Sequence, residues 1–365
     1  MTNDVNGKRV LMRVDFNVPL EGGRVVDDFR IAVTLPTIKG FLAGGAQLLL
    51  ATHLEQDKEI PHLEAVHKVV EDLLGEPVRF LPGLVGEPYD LEERVVLFDN
   101  LRLNPGEKAN DLEFARLLAS WGELYINEAF SVSHRPHASI VSVPRFLPSG
   151  FGSLFQREVN NLSKAFDPLH PFLLILGGKK FDTKTPLLEN LIKTADVVFI
   201  GGSIGNSFMA ARGLRVGRSR VEPISLPKEI LWGKKIVLSE DVVVEREKKV
   251  LKPEEVTDND IIYDVGPQTV EALLAVAKTS SFILWNGTLG WCEGGYDAGT
   301  LALMAGLGWV QAYRIAGGGD TVAAIHKSRL EGNFNFISTG GGAMLEFLAE
   351  GTLPGIEAVR ESGAH

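Results

Sequence analysis

The sequence predicts an α/β fold in two domains, each a parallel sheet wrapped by helices. Three observations predict it. Short apolar runs alternate with longer helix-like stretches along both halves of the chain, the pattern of successive strand–helix units. In the second half those strand-like runs end in glycine, at the strand ends where α/β sheets bind ligands. A length of 365 residues, at ~100–200 per domain, is enough for two cores.

In the first half the strands are expected at 9–16, 47–52, 78–81, 95–98 and 124–127, with helices near 29–43, 62–74 and 111–120. In the second half FLLILGG (172–178), VVFIGG (197–202), DIIYDVG (260–266), FILWNG (282–287), YRIAGGG (313–319) and FNFISTGGG (334–342) read as strands of one parallel sheet. The segment between the halves is rich in breakers around Pro148 and Gly150, helical over 156–166, and closed by His170-Pro171. A helix between two sheets suits a hinge. The chain therefore divides into a domain over 1–155, an interdomain helix over 156–171 and a second domain over 172–350. The ending Gly351-Thr-Leu-Pro-Gly-Ile is too rich in breakers for a long helix.

Composition removes several classes of function. The chain is 45% hydrophobic and 23% charged, with a net charge of −10 that disfavours wholesale binding to nucleic acid or an anionic membrane. A cationic site must come from local clustering. Cys292 is the single cysteine, so no intrachain disulfide forms and a reducing compartment fits. The N-terminus lacks the apolar core of a signal peptide, and no apolar run is long enough to span a bilayer. A soluble, cytoplasmic protein is expected.

Such a cluster is visible at the strand ends of the first half. Arg13 sits in RVDFNVP where the chain leaves the first strand, Arg30 opens a helix, His53 follows LLLAT, Arg102 follows VVLFDN, and His134-Arg135 follow LYIN. Arginine forks match carboxylate and phosphate oxygens, so convergence at one sheet edge would bind a small polyanion. Taken singly, each of these residues also suits a solvated surface or half of an ion pair.

The second half carries two copies of one device: an apolar run, three glycines, then a helical pattern. The copies are Gly317–Gly319 before Asp320-Thr321, and 340–342 before Ala343. Glycines at a helix start let an anion approach unpaired amides at the positive end of the helix dipole, which points to a polyphosphate, and Asp320-Thr321 can hold a metal ion. A tight turn without ligand is the alternative for either copy alone. GGKKFDTK adds Lys180 and Lys184, four apart, along the same phosphate chain, and the stretch from Trp285 to Glu293 can line a ribose or base pocket. Walker A, G-x-G-x-x-G and zinc spacings are all absent.

Taken in order, RVDFNVP (13–19), Arg30, His53, NLR (100–102), SHRPHAS (133–139), LGGKKFDTK (176–184), WNGTLG (285–290), AGGGDT (316–321), STGGGA (338–343) and EGTLPGI (350–356) closely resemble phosphoglycerate kinase. The resemblance spans almost the whole chain. It implies two Rossmann-like domains joined by a hinge helix, with residues 351–365 returning to the first. It also implies a monomer that moves a phosphoryl group between 1,3-bisphosphoglycerate and ADP, giving 3-phosphoglycerate and ATP with Mg²⁺, and that closes its domains to exclude water.

Carried over, Arg13, Asp15, Phe16, Asn17, Arg30, His53, Leu54, Glu55, Gln56, Arg102, His134 and Arg135 would bind phosphoglycerate. Lys180, Lys184, Asn286, Glu293, Gly318, Gly319, Asp320 and Thr321 would bind nucleotide, with Asp320 on Mg²⁺. Arg30, Lys180 and the amides of Gly341 and Gly342 would stabilise the transferring phosphoryl group. The chain departs from the family pattern in four places. Glu55-Gln56 stand where the family has Gly-Arg, Trp291-Cys292 where it has Val-Phe, FSVS (130–133) where it has FGTA, and Glu128 where it has Asp. The first two departures raise the alternative of a catalytically weakened relative kept for binding.

Overall fold

The computed structural model describes residues 5–56, 59–89 and 92–363. It forms two compact units, Met1–Val159 with Thr352–His365, and Asn160–Gly351. The chain leaves the first unit within the helix Ser153–Leu162 and re-enters it at Thr352.

The first unit is built on six parallel strands in the spatial order Arg79–Leu81, Val95–Phe98, Gln47–Ala51, Arg9–Arg13, Leu124–Asn127, Ser149–Phe151. Both faces are covered, which is why VVLF is buried at every position instead of alternating with polar residues. Val10, Met12, Leu48, Leu50 and Leu97 share a core with Ile31 and Ile38 of helix Phe29–Ala43 and Val66 and Val70 of helix Glu64–Leu74. Leu11, Leu49, Val96, Phe98 and Tyr125 pack on the opposite face against Ala115 and Leu118 of helix Leu112–Ala119 and Val359 of helix Pro354–Ser362. Each such side chain contributes about 1.5–3 kcal/mol when fully buried.

The breakers near the end of the chain punctuate helices rather than forbid them. Gly351, at φ 79°, ends the helix Gly342–Glu350, and Pro354 opens the next helix, where no N–H is needed. That last helix is only nine residues long.

The second unit also has six parallel strands, ordered Ile236–Val237, Val197–Ile200, Phe172–Leu176, Phe282–Asn286, Tyr313–Gly317, Phe336–Ile337. In chain order this is the doubly wound arrangement 3-2-1-4-5-6, whose order reverses between Phe172–Leu176 and Phe282–Asn286.

One expected strand lies elsewhere. Ile262–Val265 does not join the parallel sheet; it pairs antiparallel with Val242–Val244, which pairs in turn with Val250–Leu251. An apolar run reads the same whether its neighbours are parallel or antiparallel, so its spacing carried no sign of this. The register slips between Val243, opposite Asp264, and Val244, opposite Ile262, leaving Tyr263 as the extra residue of a bulge. The short strands Ser149–Phe151 and Ile236–Val237 also escaped the sequence pattern. Among the described residues no helix is long and apolar enough to cross a membrane.

Candidate active site

Register places the first cluster. Arg13 pairs with Ala51 on one side and Asn127 on the other, so the chain beyond these residues emerges at a single sheet edge. Arg13 is almost wholly buried: Nε donates to Ser139 Oγ at 2.8 Å and Nη1 to the Val14 carbonyl at 2.5 Å. Its Nη2 lies 3.3 Å from His53 Nδ1. A guanidinium can only donate, so Nδ1 accepts and the proton of the neutral imidazole sits on Nε2. Ser139 is held by Glu107, which accepts from its amide at 2.9 Å and its hydroxyl at 2.7 Å.

Asp15 ties Arg30 and Ser131 together, each bonded to Oδ2, while Oδ1 accepts from the Asn17 amide at 3.1 Å. Asn17 Oδ1 in turn accepts from the Glu55 amide at 3.0 Å. The Glu55 carboxylate contacts Arg102 Nη1 and lies 3.4 Å from Lys108 Nζ.

The electrostatics are those of cations pressed together. Burial holds His53 well below the usual histidine range, and Arg13, Arg102 and Arg135 push it further down. His137 falls to about 4 through burial and then through Arg102, Arg13 and Arg135. Arg102 itself drops to about 10, first from burial and then from Arg135 and Arg13. His134 is lowered by burial and by its neighbour Arg135. Like charges crowded together, with pKa values pushed this far, mark a candidate site for an anion.

The structure therefore gathers most of the residues expected in this unit, with corrections. Phe16 and Leu54 are fully buried in the apolar core, and their amides are used by Thr52 Oγ1 at 3.0 Å and Asn100 Oδ1 at 3.2 Å, so neither side chain can reach a ligand. Gln56 spends its amide Nε2 on the Leu20 carbonyl at 2.6 Å. Sequence reasoning missed His137, Lys108 and Ser131. His137 was readable within SHRPHAS, whereas Lys108 sits on the short helix Pro105–Ala109 with no pattern to mark it.

In the second unit, Asn286 pairs with Leu176 and Gly317, aligning the glycine-rich strand ends at the reversal of strand order. Gly318, at φ 96°, precedes helix Gly319–Ser328; Gly341, at φ 52°, precedes helix Gly342–Glu350. These backbone angles suit glycine, and in neither helix does a side chain cap the first turn, so the leading amides remain open to an anion.

Thr321 Oγ1, completely buried, accepts from the Gly287 amide at 2.9 Å and fixes the two loops together. Lys184 is buried; Nζ donates to the Gly177 carbonyl and, at 3.5 Å, to that of Asn286. Burial lowers its pKa to about 8, with Asp320 pulling the other way. Lys180 is exposed on the same loop.

Two cavities flank this cradle. One, of about 360 Å³, is lined by Gly178, Gly202, Val242, Tyr263, Leu289 and Trp291 among others, a size suited to a small ligand. The bulge at Tyr263 shapes its wall: the Tyr263 carbonyl accepts from the Trp291 amide at 2.8 Å, and the two rings lie 5.0 Å apart. Asp264 lies on the same wall, its carboxyl raised to about 7 by burial. The second cavity, of about 320 Å³, touches both Glu293 and Asp320. Glu293 pairs with Lys179 at 2.7 Å, a lysine that sequence reasoning passed over. Among the described residues no cluster of three or more His, Cys, Asp or Glu can hold a metal by itself.

A family model described as phosphoglycerate kinase matches residues 1–351. The chain is 39% identical to the phosphoglycerate kinase of Thermomicrobium roseum, covering 98% of each chain. It is 42% identical to that of Maricaulis maris, over 98% of this chain and 96% of the relative. The structure of phosphoglycerate kinase from Coxiella burnetii superposes with a TM-score of 0.86 at 32% identity, covering 99% of this chain and 98% of that one. Phosphoglycerate kinase from Pyrococcus horikoshii gives 0.86 at 26% identity, covering 98% and 97%.

Proposed function

The chain belongs to the phosphoglycerate kinase family, kinases that transfer a phosphoryl group to a carboxyl group, and on that premise we propose how its residues divide the work. The likeness over 98% of the chain to enzymes of that name favours catalysis over a relative kept only for binding. Phosphoglycerate binds the first unit through Arg13, Arg30, Arg102, Arg135, His53, His134 and His137, with Asp15 and Asn17 holding Arg30 and the Glu55 loop in place. His53, neutral with its proton on Nε2, serves as a hydrogen-bond donor to an anionic oxygen and not as a base. No base is needed: a nucleotide phosphate is a competent nucleophile toward an acyl phosphate, so positioning and charge stabilisation carry the rate.

ADP and ATP bind the second unit. The cavity walled by Tyr263, Trp291 and Leu289 takes the nucleoside, and Glu293 takes the ribose. Lys184, Asn286 and the amides at Gly318-Gly319 take the phosphates. Lys180, Arg30 and the amides of Gly341 and Gly342 stabilise the group in transfer. Asp320, exposed in the first turn of its helix, suits Mg²⁺, which takes few protein carboxylates and completes its shell with phosphate oxygens and water; bound there it would offset phosphate charge. The single cysteine and the net charge of −10 fit a monomer of the cytoplasm.

The observation that carries the reading is the group formed by Arg102, His53 and His137 in the first unit, each held below its usual range by burial and then by the neighbouring charges of Arg13 and Arg135. A coupled assay tests it. Purified protein is expected to form ATP from ADP and 1,3-bisphosphoglycerate, and activity no greater than that of a heat-killed control would overturn it.

A further inference from the structure

Glu55 is one of three carboxylates, with Asp15 and Glu107, that reach the cations of the first unit. Glu55 lies against Arg102 and Lys108, and its backbone leaves little room to withdraw. The Glu55 amide is bound by Asn17, Leu54 by Asn100 on both its N–H and its carbonyl, and Gln56 bridges to Glu59 through amide–carbonyl bonds of 2.7 and 3.2 Å. The partners differ in freedom. The Arg102 side chain is 1% exposed and fixed, whereas that of Glu55 is 34% exposed and can rotate toward solvent. Arg102 Nε and Nη1, moreover, are both buried and make no hydrogen bond among the described residues, so the Glu55 contact is an ion pair and the guanidinium has donor capacity that Glu55 does not fill.

We propose that Glu55 is a resident counter-anion of this site, a positioning residue that holds Arg102 and Lys108 until the anionic substrate displaces its carboxylate. The inference rests on the reading of these cations as the phosphoglycerate site. Glu55 neutralises one charge among Arg13, Arg102, Arg135 and Lys108, so the cluster stays cationic enough to attract a phosphate while its buried arginine is never left wholly unpaired. Breaking a buried pair from one side is costly because the other charge is stranded. Glu55 therefore steadies the empty site and weakens substrate binding by the same contact.

The test compares wild type with Glu55→Gln, Glu55→Asp and Arg135→Met by calorimetry with 3-phosphoglycerate, by melting with and without it, and by steady-state kinetics. Glu55→Gln is expected to tighten 3-phosphoglycerate about five- to tenfold, the equivalent of ~1–1.4 kcal/mol. The empty protein should melt earlier, and the ligand should raise its melting temperature more than it does in wild type. KM for 3-phosphoglycerate should fall and KM for ATP should not move, with Glu55→Asp between the two. A merely structural Glu55 would lower the melting temperature without tightening binding, and a Glu55 that stays to orient Arg102 in the complex would make Glu55→Gln bind more weakly; either result overturns the proposal. Arg135→Met separates the two levels. If it leaves 3-phosphoglycerate binding intact, the site reading fails and this inference with it. If it weakens binding while Glu55→Gln gains nothing, only the counter-anion fails.

Discussion

In the first unit the groups available to an anion are full charges on side chains, Arg13, Arg102 and Arg135, in a site where burial and then this crowding of charge take His137 to about 4 and Arg102 to about 10. In the second they are mostly backbone amides at two glycine-led helix starts, with one buried lysine among them. Helix starts offer partial charges that need no counter-ion and whose amides water can satisfy when no ligand is bound. Clustered arginines repel one another, and here an internal carboxylate offsets part of that repulsion. The same task is thus met once by charge that must be restrained and once by geometry that must be held open.

The largest expected effect lies in the second unit. Lys180→Ala should lower kcat by ~10²–10³ with little change in either KM, because its charge is realised mainly in the transition state. Steady-state kinetics showing kcat within about threefold of wild type would remove Lys180 from that role. In the first unit, Arg135→Met should weaken 3-phosphoglycerate by about ten- to a hundredfold, the range of a charged hydrogen bond of ~1.5–3 kcal/mol, and leave ADP binding alone.

The pH response sharpens the contrast between the units. Lys184 has its pKa lowered to about 8, and a bound phosphate would raise it by favouring the ammonium. Nucleotide binding then takes up a proton, so ADP affinity is level below about pH 8 and falls above it, by up to about tenfold per unit. Calorimetry at pH 7 and 9 in buffers of different ionisation heat checks both the sign and the proton. An ADP affinity that rises with pH would contradict it. The smallest effect is expected at Trp291→Val, which removes one wall of the nucleoside cavity and should raise KM for ADP about three- to tenfold, in line with ~0.5–1.5 kcal/mol for an aromatic contact.

The two regions also differed in how far the sequence disclosed them. Each glycine-led helix start is contiguous, so strand, glycines and helix were read from a single segment, and Asp320 and Thr321 came with it. The arginine cluster is assembled from five segments more than 100 residues apart at the extremes, from Arg13 to Ser139, and only their shared position at strand ends hinted that they meet. Side-chain destinations were not legible at all. Phe16 and Leu54 sit in the motifs yet turn into the core, and Gln56 turns to the Leu20 carbonyl. Tyr263 reaches the wall of the cavity of about 360 Å³ through a bulge in an antiparallel sheet, and periodicity could not distinguish that sheet from the parallel one.

The central claim is that the two units bind different substrates by these different means. The most direct measurement is a crossed titration of 3-phosphoglycerate and ADP into wild type, Arg135→Met and Lys184→Met. Arg135→Met is expected to lose affinity for 3-phosphoglycerate and keep it for ADP, and Lys184→Met to do the reverse, each retained ligand certifying that the variant is folded. If either substitution weakens both ligands alike in a folded protein, or neither ligand responds, the division of labour between the units is wrong.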